Sequence, residues 1–215
     1  MDFTAFVLSQ LPPPPARLLE VGCGEEGGIV DALAEAGYEV LGIDPDAPEG
    51  PRFRRIALEQ LEEPARYDAV VASRVLHHVH PLGPALDKLA RLAPLLLVDE
   101  FAWERIDAPT QQWYEAQYRM VSAAAGVPRR APASLDEWRA HHWDLHPSSV
   151  LLAELGARFE ERHLEQRPYF YRWLGDPATE EVERGLIAAG AIQPIGVRYA
   201  GVATTETVRS SAASR

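Results

Sequence analysis

The chain has 215 residues, 47% apolar and 25% charged, with a formal net charge of −11. This is globular composition with enough length for a full core, and the charge argues against nucleic acid or an anionic membrane surface as main partner. One cysteine excludes a disulfide framework and a Cys-based zinc site. The longest apolar run, near 92–98, is too short to span a bilayer, and a start carrying Asp2 without a basic segment predicts no secretory signal. A soluble cytoplasmic protein is therefore expected. Twenty Arg against one Lys, Lys88, with no Asn at all, fit the codon usage of a GC-rich genome.

Residues 3–11 form a short apolar helix that stops at a proline run. Residues 17–22 form an apolar strand ending in glycines, followed by helical spacing over 28–36 that stops at Gly37. Glu39–Ile43 is a second strand, closed by Asp44-Pro45. A weak third strand covers 53–56, a strong fourth 67–72, a helix 84–92 and a fifth strand 95–98. Strands and helices alternating at this length predict an α/β fold. Its sheet is doubly wound, Rossmann-like, seven-stranded and mostly parallel, with helices on both faces.

The pattern changes after Phe101. Residues 103–146 hold four of the five tryptophans and three clustered histidines. They read as a helical insertion, a lid over one end of the sheet, with a loop at 128–132. A helix at 148–155, strands at 159–166 and 194–203 and a helix at 179–189 complete the sheet. The expected division is a core of 1–102, a lid of 103–146, core completion over 147–204 and a frayed tail over 205–215.

The segment Gly22-Cys23-Gly24-Glu25-Glu26-Gly27 follows a strand and opens a helix, with Asp44 twenty residues after Gly24. That spacing matches a dinucleotide fingerprint, whose ligand sits at the carboxyl ends of the strands. The acids conflict with a pyrophosphate. Nine acids and no Lys or Arg lie between Glu20 and Glu49, and Glu25 and Glu26 stand where a helix N-terminus would receive phosphate. Asp31 and Glu35 are explained by the helix dipole; Glu20, on a buried strand, needs a partner. S-adenosylmethionine (SAM), with a sulfonium, an ammonium and no phosphate, resolves the conflict.

Three segments carry a family likeness. Leu18-Leu19-Glu20-Val21-Gly22-Cys23-Gly24 resembles the first motif of class I SAM-dependent methyltransferases, and Val40-Leu41-Gly42-Ile43-Asp44 resembles their second. Tyr67-Asp68-Ala69-Val70-Val71-Ala72-Ser73 with Val75-Leu76-His77-His78-Val79 resembles the fourth-strand motif of the small-molecule branch. The resemblance implies that Glu20 reaches the methionine ammonium, that Gly22, Cys23, Gly24 and Gly27 pass close to the cofactor, and that Asp44, beside Pro45, takes the ribose hydroxyls. Ser73 and Arg74 would complete that wall. Ala57 stands where the family places an acid for the adenine amine, and Glu59 or Gln60 is the substitute. The Pro-Gly-Gly turn before the fifth strand is replaced by Leu92-Ala93-Pro94-Leu95.

For chemistry, His77 and His78 follow the fourth strand, where an imidazole suits a general base near neutral pH; shaping the pocket is the competing role. Glu100, ending the fifth strand beside Asp99, would position an amine or accept a proton, or else bond a loop. Trp103, Trp113, His142, Trp143, His146 and Tyr171 are candidate walls for an apolar or aromatic acceptor, against the ordinary role of aromatics as packing. His142 and His146 would share one helix face, yet a zinc site there lacks an outside ligand, so no metal is expected. The expected function is methyl transfer from SAM, yielding S-adenosylhomocysteine, to a small molecule. The alternatives are a non-catalytic SAM-binding protein and an NAD-dependent oxidoreductase.

Overall fold

The computed structural model describes residues 2–62, 66–124, 131–175 and 178–204. The expected tail over 205–215 and most of the expected loop at 128–132 lie outside these. The chain divides into two compact units, one of residues 1–100, 149–164 and 198–215, the other of residues 101–148 and 165–197.

The first unit carries the sheet. Its elements begin with α1 (Phe3–Gln10), β1 (Arg17–Val21), α2 (Val30–Glu35), β2 (Glu39–Ile43) and β3 (Phe53–Arg54). They continue with β4 (Ala69–Ser73), α3 (Leu82–Leu92) and β5 (Leu95–Phe101). After the insertion come α6 (Ser148–Gly156), β6 (Phe159–Arg167) and β7 (Gly196–Ala203). The strand order is β3-β2-β1-β4-β5-β7-β6. Strands β1 to β5 pair in parallel, with Glu20 opposite Gly42 and Val71, and Ser73 opposite Asp99. β7 runs antiparallel to β5, since Ala203 N–H donates to Pro94 O and Ala102 N–H to Ile195 O. The sheet is thus mixed, as a parallel α/β sheet with an antiparallel late strand.

β1, β4 and β5 are near-continuous Leu, Val and Ala because both of their faces are covered. α3 buries Leu82, Ala85, Leu86, Leu89 and Ala90, spaced three or four apart on one stripe, against one face of the sheet. Each buried leucine contributes about 2 kcal/mol. Phe3, Phe6 and Val7 of α1 join Leu33 and Tyr38 in a second core cluster. Under α1, Arg198 of β7 is buried at 1% exposure, 3.5 Å from Asp99 Oδ1. Its guanidinium lies 4.9 Å from the Phe6 ring centroid and 5.7 Å from that of Phe3.

The second unit contains α4 (Ala108–Ala124), α5 (Leu135–His141), α7 (Phe170–Leu174) and α8 (Ala178–Ala188). Phe101, Tyr114, Tyr169, Phe170 and Leu174 form its core, with Trp103, Trp113, Trp138 and Trp173 packed against them. Glu183, fully buried, accepts the N–H groups of Tyr169, Phe170 and Tyr171 and so seats the start of α7. Between the strand ends at 165–167 of β6 and 196–197 of β7, residues 168–195 share a core with 101–148. The aromatic density of Tyr169, Phe170 and Trp173 is the physical reason. Among the described residues no helix is long and apolar enough to cross a membrane.

Candidate active site

The glycine loop is built around one carboxylate. Gly22 (φ +79°) turns the chain so that its N–H donates to Ile43 O at 2.9 Å, and any side chain there would collide with Val75. Glu20 is 1% exposed, and its two oxygens both accept from Ile29 N–H, at 3.0 and 3.2 Å. Gly28 (φ +59°) makes room for this, because a Cβ there would run into the Glu20 carboxylate. Burial pushes the Glu20 carboxyl up to about 7, opposed by the Ile29 N–H and by Arg74. Gly28→Ala is expected to cost about 2 kcal/mol or more, from the strained φ and the displaced carboxylate, read as a lowered urea midpoint.

Helix α2 begins only at Val30, two residues later than the sequence pattern suggests, because turns occupy residues 24–29. The role given to the third glycine is shared by Gly27, which packs on Phe53, and Gly28. The sequence reading missed Gly28, whose signal was the Gly27-Gly28 doublet.

A cavity of about 500 Å³ opens beyond the carboxyl ends of β1, β2 and β4, a volume suited to a small ligand. On the β1–β2 side Gly22, Asp44 and Pro45 line it. Asp44 Oδ1 accepts from Asp46 N–H at 2.8 Å. A second wall consists of Ile56, Ala57, Leu58 and Glu59. Here Gln60 folds back, its Oε1 accepting from Ala57 N–H at 3.0 Å, so of the two candidate substitutes Glu59 is the one on the cavity.

The third wall follows β4: Arg74, Val75, His78, Val79 and His80. Arg74 has φ +54°, and its N–H donates to Asp99 O at 2.7 Å. Beneath this wall Glu100 Oε1 accepts from Val75 N–H at 3.0 Å and from Leu76 N–H at 2.7 Å. Its Oε2 lies 2.5 Å from His77 Nδ1. An ionised Glu100 only accepts, which assigns the proton of this contact to Nδ1. The His77 and His78 rings are in contact, with centroids 4.2 Å apart and planes tilted by 40°.

Of the candidate cofactor residues, Gly22, Asp44, Pro45, Glu59 and Arg74 line the cavity, while Glu20, Cys23, Gly24, Gly27 and Ser73 do not. Cys23 is buried with Val30 and Ala47, and burial beside Glu20 and Asp44 pushes its thiol up to about 12. Among the catalytic candidates only His78 is on the cavity. Glu100 is buried with both oxygens on protein donors, the loop-bonding alternative, and supports the 75–78 turn.

The second-unit candidates are described within that unit. Trp103 and Trp113 pack against its aromatic core, and Arg172 lies over Tyr171. Trp143 is 82% exposed. His142 stacks on Trp138 at 4.4 Å, with Nδ1 2.7 Å from Trp138 O. His142 and His146 do not share a helix face, because α5 ends at His141 and turns follow. Among the described residues no three His, Cys, Asp or Glu side chains come together as a metal site would require.

Comparison with known proteins agrees with this geometry. A methyltransferase domain matches residues 1–165, and the chain belongs to that family. The ubiquinone biosynthesis O-methyltransferase of Nitrobacter winogradskyi is 26% identical over 74% of this chain and 62% of its own length. That of Rhodopseudomonas palustris strain TIE-1 is 29% identical over 35% of each chain. The chain thus spans less than two thirds of the length of these curated relatives.

Among solved structures, the 1,6-didemethyltoxoflavin N1-methyltransferase of Burkholderia thailandensis, with its substrate and S-adenosylhomocysteine bound, aligns with a TM-score of 0.58 at 18% identity. That alignment covers 94% of this chain and 76% of the other. A SAM-dependent methyltransferase of Mesorhizobium loti aligns with a TM-score of 0.56 at 16% identity, covering 92% and 96%. These two share the fold.

Proposed function

We propose that this protein transfers the methyl group of SAM to an oxygen, nitrogen or carbon of a small molecule. The observation that carries the reading is the Glu20 carboxylate on Ile29 N–H. In a dinucleotide-binding loop the N–H groups entering the helix receive a pyrophosphate. Here a buried carboxylate already takes one of them, and it favours a cation above the loop rather than a phosphate.

The residues present fit SAM. The Asp44 carboxylate takes the ribose hydroxyls, and Glu59 on the second wall accepts from the adenine amine. Ile56, Leu58 and Val79 provide apolar surface for the ring. Glu20 favours the methionine ammonium and the guanidinium of Arg74 the methionine carboxylate.

The bound cofactor supplies an activated methyl group for in-line displacement. The chain supplies alignment. His78, on the β4 wall, is the residue placed to take a proton from an acidic acceptor. The curated relatives methylate oxygen by name, so a hydroxyl is the first acceptor to test.

Titration calorimetry with SAM, S-adenosylhomocysteine and NAD tests the cofactor. Binding of the first two and none of NAD is expected. Asp44→Ala is expected to weaken SAM about 100-fold, since two charge-assisted hydrogen bonds are worth about 3 kcal/mol. NAD binding without SAM binding overturns the reading.

A further inference from the structure

The wall Ile56–Glu59 has little support from the sheet. β3 before it is two residues long, and the wall ends in a single 3-10 turn, Leu58–Gln60, closed by Gln60 N–H to Ala57 O and Leu61 N–H to Leu58 O. The chain's only lysine, Lys88 on α3, reaches across to this turn. Its Nζ donates to Leu58 O at 2.8 Å and to Glu59 O at 3.0 Å. Leu58 is buried, and at the other end Gln60 holds Ala57 N–H. The turn is therefore clamped at both ends by side chains that do not line the cavity, while the residues between them do.

We propose that Lys88 is a positioning residue for the adenosyl half of the cofactor, setting the cavity wall by holding the Leu58 and Glu59 carbonyls. The inference rests on the cofactor reading above. A compact ammonium with three donors serves two adjacent carbonyls, where the planar arginine fork, used at the other twenty basic positions, is built for parallel acceptors. Neutralising or capping the amine would release the wall without touching any group on the ligand.

The test compares wild type with Lys88→Met, which keeps the stem and removes the donors, and Lys88→Arg, which keeps charge and donors. Calorimetry uses SAM and 5′-methylthioadenosine, which has the adenosyl half without the amino acid. Lys88→Met is expected to weaken both ligands about tenfold, with Lys88→Arg, whose planar fork fits two adjacent carbonyls less well, recovering only a minor part of the loss. In turnover, KM for SAM rises by a similar factor while kcat stays within about twofold.

Equal affinity of Lys88→Met and wild type for both ligands overturns the proposal, as does a loss confined to SAM. Hydrogen exchange of the unliganded proteins supplies a second readout. The Gln60 and Leu61 amides, bonded to Ala57 O and Leu58 O, should exchange about tenfold faster in Lys88→Met. Unchanged exchange overturns the proposal even if wild type binds no SAM, a result that would itself sink the cofactor reading.

Discussion

Glu100→Ala is expected to lower the melting temperature by about 10 °C. The substitution leaves three buried donors, the N–H groups of Val75 and Leu76 and Nδ1 of His77, without their carboxylate. Charge-assisted hydrogen bonds are worth about 1.5–3 kcal/mol each and are not additive here, so about 4 kcal/mol is a reasonable sum for a chain of this size. Glu100→Gln separates two roles. Its amide oxygen still serves Val75 and Leu76, but its nitrogen faces His77 Nδ1 as a donor and drives the imidazole proton to Nε2.

A smaller loss, about 4 °C, is expected for that variant, with the tautomer change visible in long-range ¹⁵N–¹H spectra of the histidine rings. His78 touches His77 ring to ring, so a fall in turnover with SAM affinity preserved would place the effect at the acceptor side. A melting temperature within a degree of wild type for Glu100→Ala would remove the proposed support for the β4 wall.

Glu20→Gln is expected to move stability and cofactor affinity in opposite directions. The folded protein holds the Glu20 proton up to about pH 7, whereas a free glutamate loses it near 4.5. The native state therefore binds the extra proton across that window. Stability from this group is full below pH 4.5, falls as pH rises to 7 and is level above it. The loss is about 3 kcal/mol, at about 1.4 kcal/mol per pH unit. Glutamine keeps an acceptor for Ile29 N–H and carries no charge, so the variant should be more stable than wild type at pH 8 and lose that advantage by pH 4.5.

Affinity for SAM should fall about 100-fold at pH 8, and wild-type affinity should rise with pH up to about 7 as the carboxylate ionises. Urea denaturation and calorimetry across pH 5–8 measure both. A variant no more stable than wild type at pH 8 would show that the buried carboxylate is not destabilising.

Much of the first hundred residues was legible in the sequence because local signals and tertiary demands agree there. Glu39–Ile43 has the bounds its pattern suggested, since Asp44-Pro45 ends a strand both chemically and sterically. What could not be read was contact at long separation. Glu100 meets Val75 and Leu76 from 25 and 24 residues away, and neither hydrophobic period nor residue type says which loop a strand-end acid will bond. Gly28 answers to Glu20 across the turn, so a motif count settled on Gly27.

In the second half the histidine spacing suggested a helix face that the chain does not form. Helix α5 closes at His141, with the His141 and His142 Nδ1 atoms turned back onto the carbonyls of Glu137 and Trp138. The aromatic pairs of Phe101 with Tyr169, Trp138 and Trp173 tie residues 169–173 to the core of the second unit. Their partners lie tens of residues apart.

The buried Asp99–Arg198 pair limits how this sequence can drift. Removing either charge alone breaks a buried ion pair, a loss of about 3–5 kcal/mol from a total of about 5–15. Replacing both by apolar residues would be close to neutral, but single nucleotide changes cannot deliver both at once. Positions 99 and 198 should therefore change together between lineages or not at all. Because the Asp99 carbonyl also holds Arg74, such a paired change would be felt at the cavity as a shift in the backbone, with no ligand-contacting side chain altered.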